Sequence, residues 1–462
     1  RERPRTGASS AEPRKDDAPQ FDGESHRNCF DMDYDRIVYS SSLRRLQDKA
    51  QVFPLQENDF TRTRLTHSLE CSAIGRSLGN KVGRWLETSD VAYGPGHAGE
   101  LATLLQVAGL VHDLGNPPFG HYGEDVIKAW FANPGNAPQL QGPGRNDFIF
   151  YDGNAQTIRI LTRLQFLKDR HGINFCYGTL AALMKYPWDS SDEMAASRKK
   201  FGFFQSEKAL CRKVMEETGL IGRHPATWLL EAADDISYLF ADLEDAVKKG
   251  HAPWGRLSAE LMGYKAQGVW AGHEKRKARL AGDFERLEDS GLPPGEQDQL
   301  ASQYFKLAGQ VMCIDAVFSE FVENYQDIML GRYRRKSLLD APSIKALVGL
   351  VRGWCVDYAY TNSEVLALEL IGKSVLSSLL DRFVPAILDD SAGDVRTDCG
   401  KISRLISRNF EYVQKLDEES RYQKDKILDP YQRVQLVIDF ISGMTDSYAL
   451  NLHKKLLGMI LP

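Results

Sequence analysis

LVHDLGNPPFGHYGE, residues 110–124, ends an apolar run in His112-Asp113, turns through Gly115, Pro117 and Pro118, and closes on His121 and Glu124. The preceding residues carry Leu101, Leu104, Leu105, Ala108 and Val111 at helical spacing. His112 and Asp113 therefore stand at the end of a helix that buries its other face, and the Gly-Pro turn stops it. Adjacent helical side chains point about 100° apart, so both can reach one ion beside the helix end. The plain alternative is a capped helix with a satisfied histidine, since an H-D dipeptide alone occurs by chance.

Two other segments change the balance. RLTHSLECSAIGRSLGNKVGRWL, from residue 64, is an amphipathic helix with Leu65, Leu69, Ile74 and Leu78 at helical spacing, and it carries His67 beside Arg64. PATWLLEAADDISYLFADLEDAVKKG, residues 225–250, is the clearest long helix, with Pro225 in its first turn and Gly250 past its end. Within it Asp234, Tyr238 and Asp242 recur at i, i+4 and i+8, a polar stripe between Leu230, Ala233 and Leu243 that reads as the lining of a cavity. Asp235 does not share that face. A histidine on an apolar helix is usually a satisfied core side chain, and an acidic stripe is usually solvated. The combination points further, because an unpaired buried carboxylate is costly and Asp113 and Asp234 would need a cation.

The rest of the chain reads as all-α. Strand signals are few, FIFYD (148–152) and KFGFFQ (200–205). There is no internal repeat and no Gly-rich phosphate loop of the G-x-x-x-x-G-K type. Residues 1–25, rich in charge, Pro and Ser, are expected to be a disordered tail. A catalytic core is expected over 26–272, an exposed charged helical excursion over 273–300 (HEKRKARLAGDFERLEDSGLPPGEQDQ), and a C-terminal helical region over 301–462 that completes the site and makes oligomer contacts.

The 462 residues suit one large domain or a few smaller ones; 42% are apolar and 26% charged, as in ordinary globular proteins. A net charge of −5 gives no global attraction to nucleic acid or membrane. The best local basic segment is GRYRRKS, residues 331–337, a candidate single-stranded DNA contact or simply a solvated turn. No apolar stretch has the roughly 20 residues of a membrane helix. No secretory signal opens the chain as given, which also lacks an initiator Met. Seven cysteines, with no C-x-x-C pair, suggest a reduced, cytoplasmic protein without a zinc cage.

The pattern H…HD…D on helices resembles the HD-domain metal-dependent phosphohydrolases. In order, DRIVYSSSLRRLQDKAQVF, RTRLTHSLE, HDLGNPPFGHYGE, DGNAQTIRIL, KYPW, KFGFFQSE, EAADDISYLFADLEDA and DFISGMTDSYAL are similar to the blocks of deoxyguanosinetriphosphate triphosphohydrolases, over roughly residues 27–450. Two departures lie near the expected cleft: Ala50, where relatives more often have Thr, and RNCFDMDYDRI, where they often carry Pro before the Phe.

The resemblance implies hydrolysis of dGTP to deoxyguanosine and inorganic triphosphate, with His67, His112, Asp113 and Asp234 holding one divalent metal ion. This ligand set suits Mg²⁺ or Mn²⁺ first and also admits Co²⁺, Fe²⁺ or Ni²⁺. It places His121 and Glu124 as the catalytic pair beside the α-phosphate, where a histidine can move a proton near neutral pH. Arg64, three residues before His67, faces the same way and suits phosphate oxygens. Gln51 and Asp242 would read the 3′-hydroxyl, Tyr238 would crowd the 2′ position, and Asn154 would lie near the substrate. A broader, nucleotide-activated dNTP triphosphohydrolase is the alternative within the same chemistry, and a single-stranded nucleic-acid-binding protein on the same fold is the alternative outside it. The resemblance also implies a homo-oligomer; related enzymes are often hexamers.

Overall fold

The computed structural model describes residues 3–4, 27–53, 61–89, 93–94, 96–165, 169–263 and 266–460. The elements that build the site are α1 (Cys29–Val38), α2 (Arg64–Ser89), α3 (Ala98–Val111), α4 (Gly120–Ala132), α5 (Gly142–Ile149), α6 (Gly153–Arg159), α7 (Pro225–Lys248), α8 (Glu274–Glu288), α9 (Pro294–Glu323), α10 (Ser363–Leu388), α11 (Pro430–Ser442) and α12 (Asp446–Leu456). Shorter helical segments join them. No β-strand occurs among the described residues, only isolated bridges.

Both expected strands are therefore absent. Phe148 and Ile149 end α5, and 200–205 is a loop with one bridge, Asp189 to Phe203, running into a 3₁₀ turn. Phe148, Phe150, Tyr151, Phe201 and Phe204 are all buried; Phe148, Tyr151 and Phe201 each meet the Phe204 ring, and Phe131 stacks on Phe148 at 4.9 Å. An apolar run buried on every side has the same composition in a strand or in an aromatic cluster, and periodicity cannot separate the two.

α2 and α3 approach through their backbones. Gly75, Gly79 and Gly83 recur every fourth residue on α2, so they form one stripe. A Cβ on Gly79 would lie 2.5 Å from Ala102 Cα, and one on Gly83 would lie 2.5 Å from Ala98 O. From the other side, a Cβ on Gly109 would come within 2.8 Å of Ser72 N. The seam brings His67 of α2 level with the end of α3. A first core forms around α2, α3, α7 and α9, with Leu78, Leu105, Ile236, Phe240 and Phe305 fully buried.

A second core joins α4, α5, α10, α11 and α12 through Ile127, Phe148, Leu376, Phe383 and Val437. A buried ion network ties α6 to α11: Arg159 pairs with Asp439 at 2.7 Å and Glu207 at 2.8 Å, and Gln156 donates to Asp439 at 3.0 Å. Two carboxylates on one guanidinium, each hydrogen-bonded, give the pairing that buried charges require.

The charge-rich 273–300 stretch differs from expectation. It does form α8, but Leu280 and Leu287 are buried, and Phe284 meets Trp254 edge-on at 6.0 Å. Its apolar positions join the first core while its charges face solvent. α9 then runs unbroken from Pro294 through residue 300 to Glu323. Of the tail expected over residues 1–25, all but Arg3 and Pro4 lies outside the described residues. Arg3 is buried, pairs with Asp33 at 2.6 Å and donates to the Cys29 carbonyl at 2.7 Å.

The glycine seam makes a direct prediction. Gly79→Leu forces a side chain into the backbone of α3 and should destabilise the fold by about 1–3 kcal/mol or more, read as a lowered Tm. Gly349→Ala, on an exposed helical face with nothing within 4 Å of its would-be Cβ, should leave the Tm unchanged or raise it.

Candidate functional site

The four metal-type side chains converge. His67 Nε2 lies 3.0 Å from Asp234 Oδ1, and His112 Nε2 lies 3.4 Å from Asp113 Oδ1 and 3.4 Å from Asp234 Oδ1. The two imidazoles meet edge-on at 5.3 Å. α3 ends at Val111, earlier than the sequence suggested, so His112 is its C-cap and Asp113 lies in the turn beyond. That turn is seated on the start of α6. Gly115 N–H donates to Thr157 Oγ1 at 2.9 Å, Thr157 Oγ1 donates to the His112 carbonyl at 3.1 Å, and a Cβ on Gly115 would lie 2.1 Å from Gly153 O.

A divalent ion fits this donor set. His112 Nδ1 lies 2.8 Å from the Gly109 carbonyl, and that contact requires a proton on Nδ1. Nε2, buried and without a hydrogen-bond partner, is then the lone-pair atom facing two carboxylates. Burial disfavours a charged His112, yet Asp113 and Asp234 outweigh it and raise its pKa well above an ordinary histidine's. Burial also disfavours the charged Asp113, but His112 and Arg64 hold its carboxyl at about 2. The two carboxylates thus favour positive charge at this point.

These residues form one end of a cavity of about 520 Å³. Arg64, the first residue of α2, is buried, pairs with Asp113, and leaves its Nε without a hydrogen-bond partner. His121 and Glu124 sit in the first turn and a half of α4. His121 turns its ring outward, its side chain 81% exposed, while Glu124 is buried, with Oε1 3.9 Å from His121 Nδ1. Glu124 Oε1 also accepts the Gly153 N–H at 2.9 Å. The contact with Glu124 raises the His121 pKa above 6.5. Burial alone would push Glu124 up, but His121, Lys200 and Lys128 hold it below the usual carboxylate range.

From Asp234 the stripe continues along the wall: Asp234, Tyr238 and Asp242 line the cavity together, as their spacing required. Asp242 accepts the Tyr360 hydroxyl at 2.7 Å, and burial pushes its pKa up to about 7. Gln51 lines the wall with Oε1 buried and unbonded. Asn154 also lines it, its amide donating to Asp152 at 2.7 Å. Asp235 is not outside the site: it lines the cavity, and its carboxylate accepts the Tyr238 hydroxyl at 2.9 Å. A side chain one position off a helical stripe still reaches the same cavity when the cavity is wide.

Several residues at the site were not among those the sequence singled out. Tyr360 meets Asp242 across 118 residues. Lys185 points into the cavity and pairs with Glu231 at 3.0 Å. Asn116, whose amide donates to Asp113 Oδ1 at 2.7 Å, could have been found from its place in the HDLGN turn. Cys71, one turn after His67, lies close enough to His112 and Asp234 to share an ion with them.

No residue of the basic segment 331–337 lines this cavity, although Ser337 Oγ donates to the lining Asp235 at 3.4 Å. Arg335 pairs with Glu320 at 2.7 Å, Tyr333 donates to the same carboxylate at 2.9 Å, and Arg332 pairs with Asp327 at 3.2 Å.

Comparison with known proteins agrees with this architecture. Residues 64–140 match the HD domain and residues 400–455 the phosphohydrolase-associated domain. The chain is 38% identical to a deoxyguanosinetriphosphate triphosphohydrolase-like protein of Listeria monocytogenes, with 94% of each chain covered. It is 33% identical to one of Synechocystis, covering 94% of this chain and 95% of that one. It is 30% identical to the deoxyguanosinetriphosphate triphosphohydrolase of Salmonella enteritidis, covering 93% of this chain and 94% of that one. With two imidazoles and two carboxylates gathered at the end of α3, and these relatives matching along nearly its whole length, the chain belongs to the deoxyguanosinetriphosphate triphosphohydrolase-like family of HD-domain hydrolases.

Proposed function

We propose that this protein hydrolyses dGTP to deoxyguanosine and inorganic triphosphate in the cavity beside His112. The observation that carries the reading is His112 Nε2, buried, unbonded, fixed in its tautomer by Gly109 and faced by two carboxylates. His67, His112, Asp113 and Asp234 hold the divalent ion, Mg²⁺ or Mn²⁺ by the hardness of the carboxylates. When bound, the ion supplies Lewis acidity at a phosphate oxygen and lowers the pKa of a bound water.

The chain's own residues do the rest. Arg64 binds phosphate oxygens, and Lys185 adds a second positive charge at the cavity wall. Water attacks the α-phosphorus, the bond to the 5′-oxygen breaks, and triphosphate keeps the water's oxygen. The departing 5′-oxygen needs a proton, and His121, whose pKa Glu124 beneath it raises, supplies it. Gln51 and Asp242 meet the 3′-hydroxyl. The Tyr238 ring, held by Asp235, fills the space a 2′-hydroxyl would need.

The first test is product identity. Metal-loaded protein given each of the four dNTPs and four NTPs should release nucleoside and triphosphate, fastest from dGTP. Release of diphosphates or monophosphates would overturn the reading. His112→Ala and Asp234→Ala should lose bound metal by elemental analysis, whereas Asp235→Asn should keep it.

Proton transfer predicts a pH dependence. His121 must be charged to donate, so kcat should fall as pH rises through its elevated pKa. Glu124→Gln removes the group that raises that pKa, so the alkaline limb of the kcat profile should move to lower pH. It should also lower kcat by about 10²–10⁴-fold, with metal content unchanged. An unmoved limb would separate Glu124 from His121.

Sugar selection predicts that Tyr238→Ala narrows the gap between dGTP and GTP, chiefly by admitting the 2′-hydroxyl. The ratio of their kcat/KM values checks this, and an unchanged ratio would remove the ring from discrimination.

A further inference from the structure

Asp446 opens α12, yet its side chain does not cap that helix; Thr445 does, through the Tyr448 N–H at 3.3 Å. The buried Asp446 carboxylate reaches instead into the wall of the catalytic cavity. Oδ2 accepts the Ala50 N–H at 2.9 Å and Oδ1 accepts the Phe119 N–H at 2.9 Å. Ala50 directly precedes Gln51, and Phe119 precedes Gly120 and His121. One side chain thus holds the backbones of two site segments that lie far apart in the chain.

The Phe119 end of this contact is under strain. Phe119 has φ +63°, a left-handed conformation that a bulky side chain disfavours, and Gly120 follows with φ +63°. Such backbone persists only where the surroundings over-determine it. Here the Asp446 bond fixes the Phe119 amide, and its ring seats on Gly372 of α10, where a Cβ would come within 2.7 Å of Phe119 Cγ. Beside it Lys49 braces the same turn, donating to the carbonyls of Asn116 at 2.5 Å and Ser442 at 2.8 Å.

We propose that Asp446 is a positioning residue that sets Gln51 and His121 in one register through two backbone N–H groups, so that a residue of the C-terminal helices controls sugar recognition and proton donation together. The proposal rests on the reading that Gln51 meets the 3′-hydroxyl and His121 the leaving oxygen. The chemistry of the side chain matters: a carboxylate accepts at both oxygens, whereas the isosteric amide of Asp446→Asn accepts at one and turns an NH₂ toward the other N–H.

The experiment compares dGTP with 2′,3′-dideoxyGTP for the full-length wild-type protein, Gln51→Ala, Asp446→Asn and the double variant. Gln51→Ala should lower the kcat/KM preference for dGTP by about 3–10-fold, the loss of one hydrogen bond. Asp446→Asn should lower it in the same direction. The double variant should be no less selective than Gln51→Ala alone, because Asp446 acts through Gln51. Asp446→Asn should also depress kcat on dGTP beyond Gln51→Ala, because it releases the His121 turn as well. Hydrogen exchange needs no activity: amides 50 and 119 should exchange slowly in the wild type and faster in Asp446→Asn.

Unchanged selectivity in Asp446→Asn, with Gln51→Ala altered, would overturn the proposal and leave the sugar reading intact. Unchanged selectivity in Gln51→Ala would overturn the sugar reading and the half of the proposal built on it. Fast exchange of both amides in the wild type would overturn the shared contact outright, whether or not the variant folds.

Discussion

Everything at the site depends on how closely α2 and α3 approach. Gly75, Gly79 and Gly83 on one helix and Gly109 on the other leave no side chain between the two backbones over much of their length. The approach fixes rotation and register together, because a helix that slid or turned would drive a Cβ into the opposing backbone. His67 and His112 meet only because this seam holds, their rings 5.3 Å apart. A looser pair of helices would carry the same residues with no common ion between them.

Placing two carboxylates and two imidazoles in a buried cluster is electrostatically costly unless a cation joins them. The neighbours show how the fold manages that cost. Arg64 and Asn116 each donate to one oxygen of Asp113, Gly109 orients His112, and Thr157 anchors the turn. These partners leave His112 Nε2 unbonded between the carboxylates of Asp113 and Asp234. On α4, Glu124 is held charged by cations around it and raises the pKa of His121. The two parts of the site thus differ in character: one gathers carboxylates and imidazoles around a point that favours a cation, the other pairs a buried carboxylate with an exposed imidazole.

The C-terminal helices are part of the site. Asp439 anchors α6 through Arg159, Asp446 holds the backbones of Ala50 and Phe119, and Tyr360 closes over Asp242. The contact of Ala50 with Asp446 is made by the backbone, which any residue but proline provides.

The helical class, the long helix from Pro225, and the identity of His67, His112, Asp113 and Asp234 as a candidate set were legible because they rest on local periodicity and on side chains whose burial needs a reason. The same local reading mistook FIFYD and KFGFFQ for strands and placed α8 wholly outside the core. Apolar composition records that a segment is buried, not what covers it. It also set Asp235 aside, because a helical wheel gives a direction but not the width of the cavity it faces. Tyr360, Lys185 and Asp446 could not be found that way, since each acts on residues distant in the chain and makes no local pattern. The sequence by itself determined which groups can bear charge and which faces are buried, because those follow from residue chemistry and helical spacing. The tertiary structure alone decided which groups meet, because that depends on backbone approach at a glycine seam and on long-range hydrogen bonds that no periodicity records.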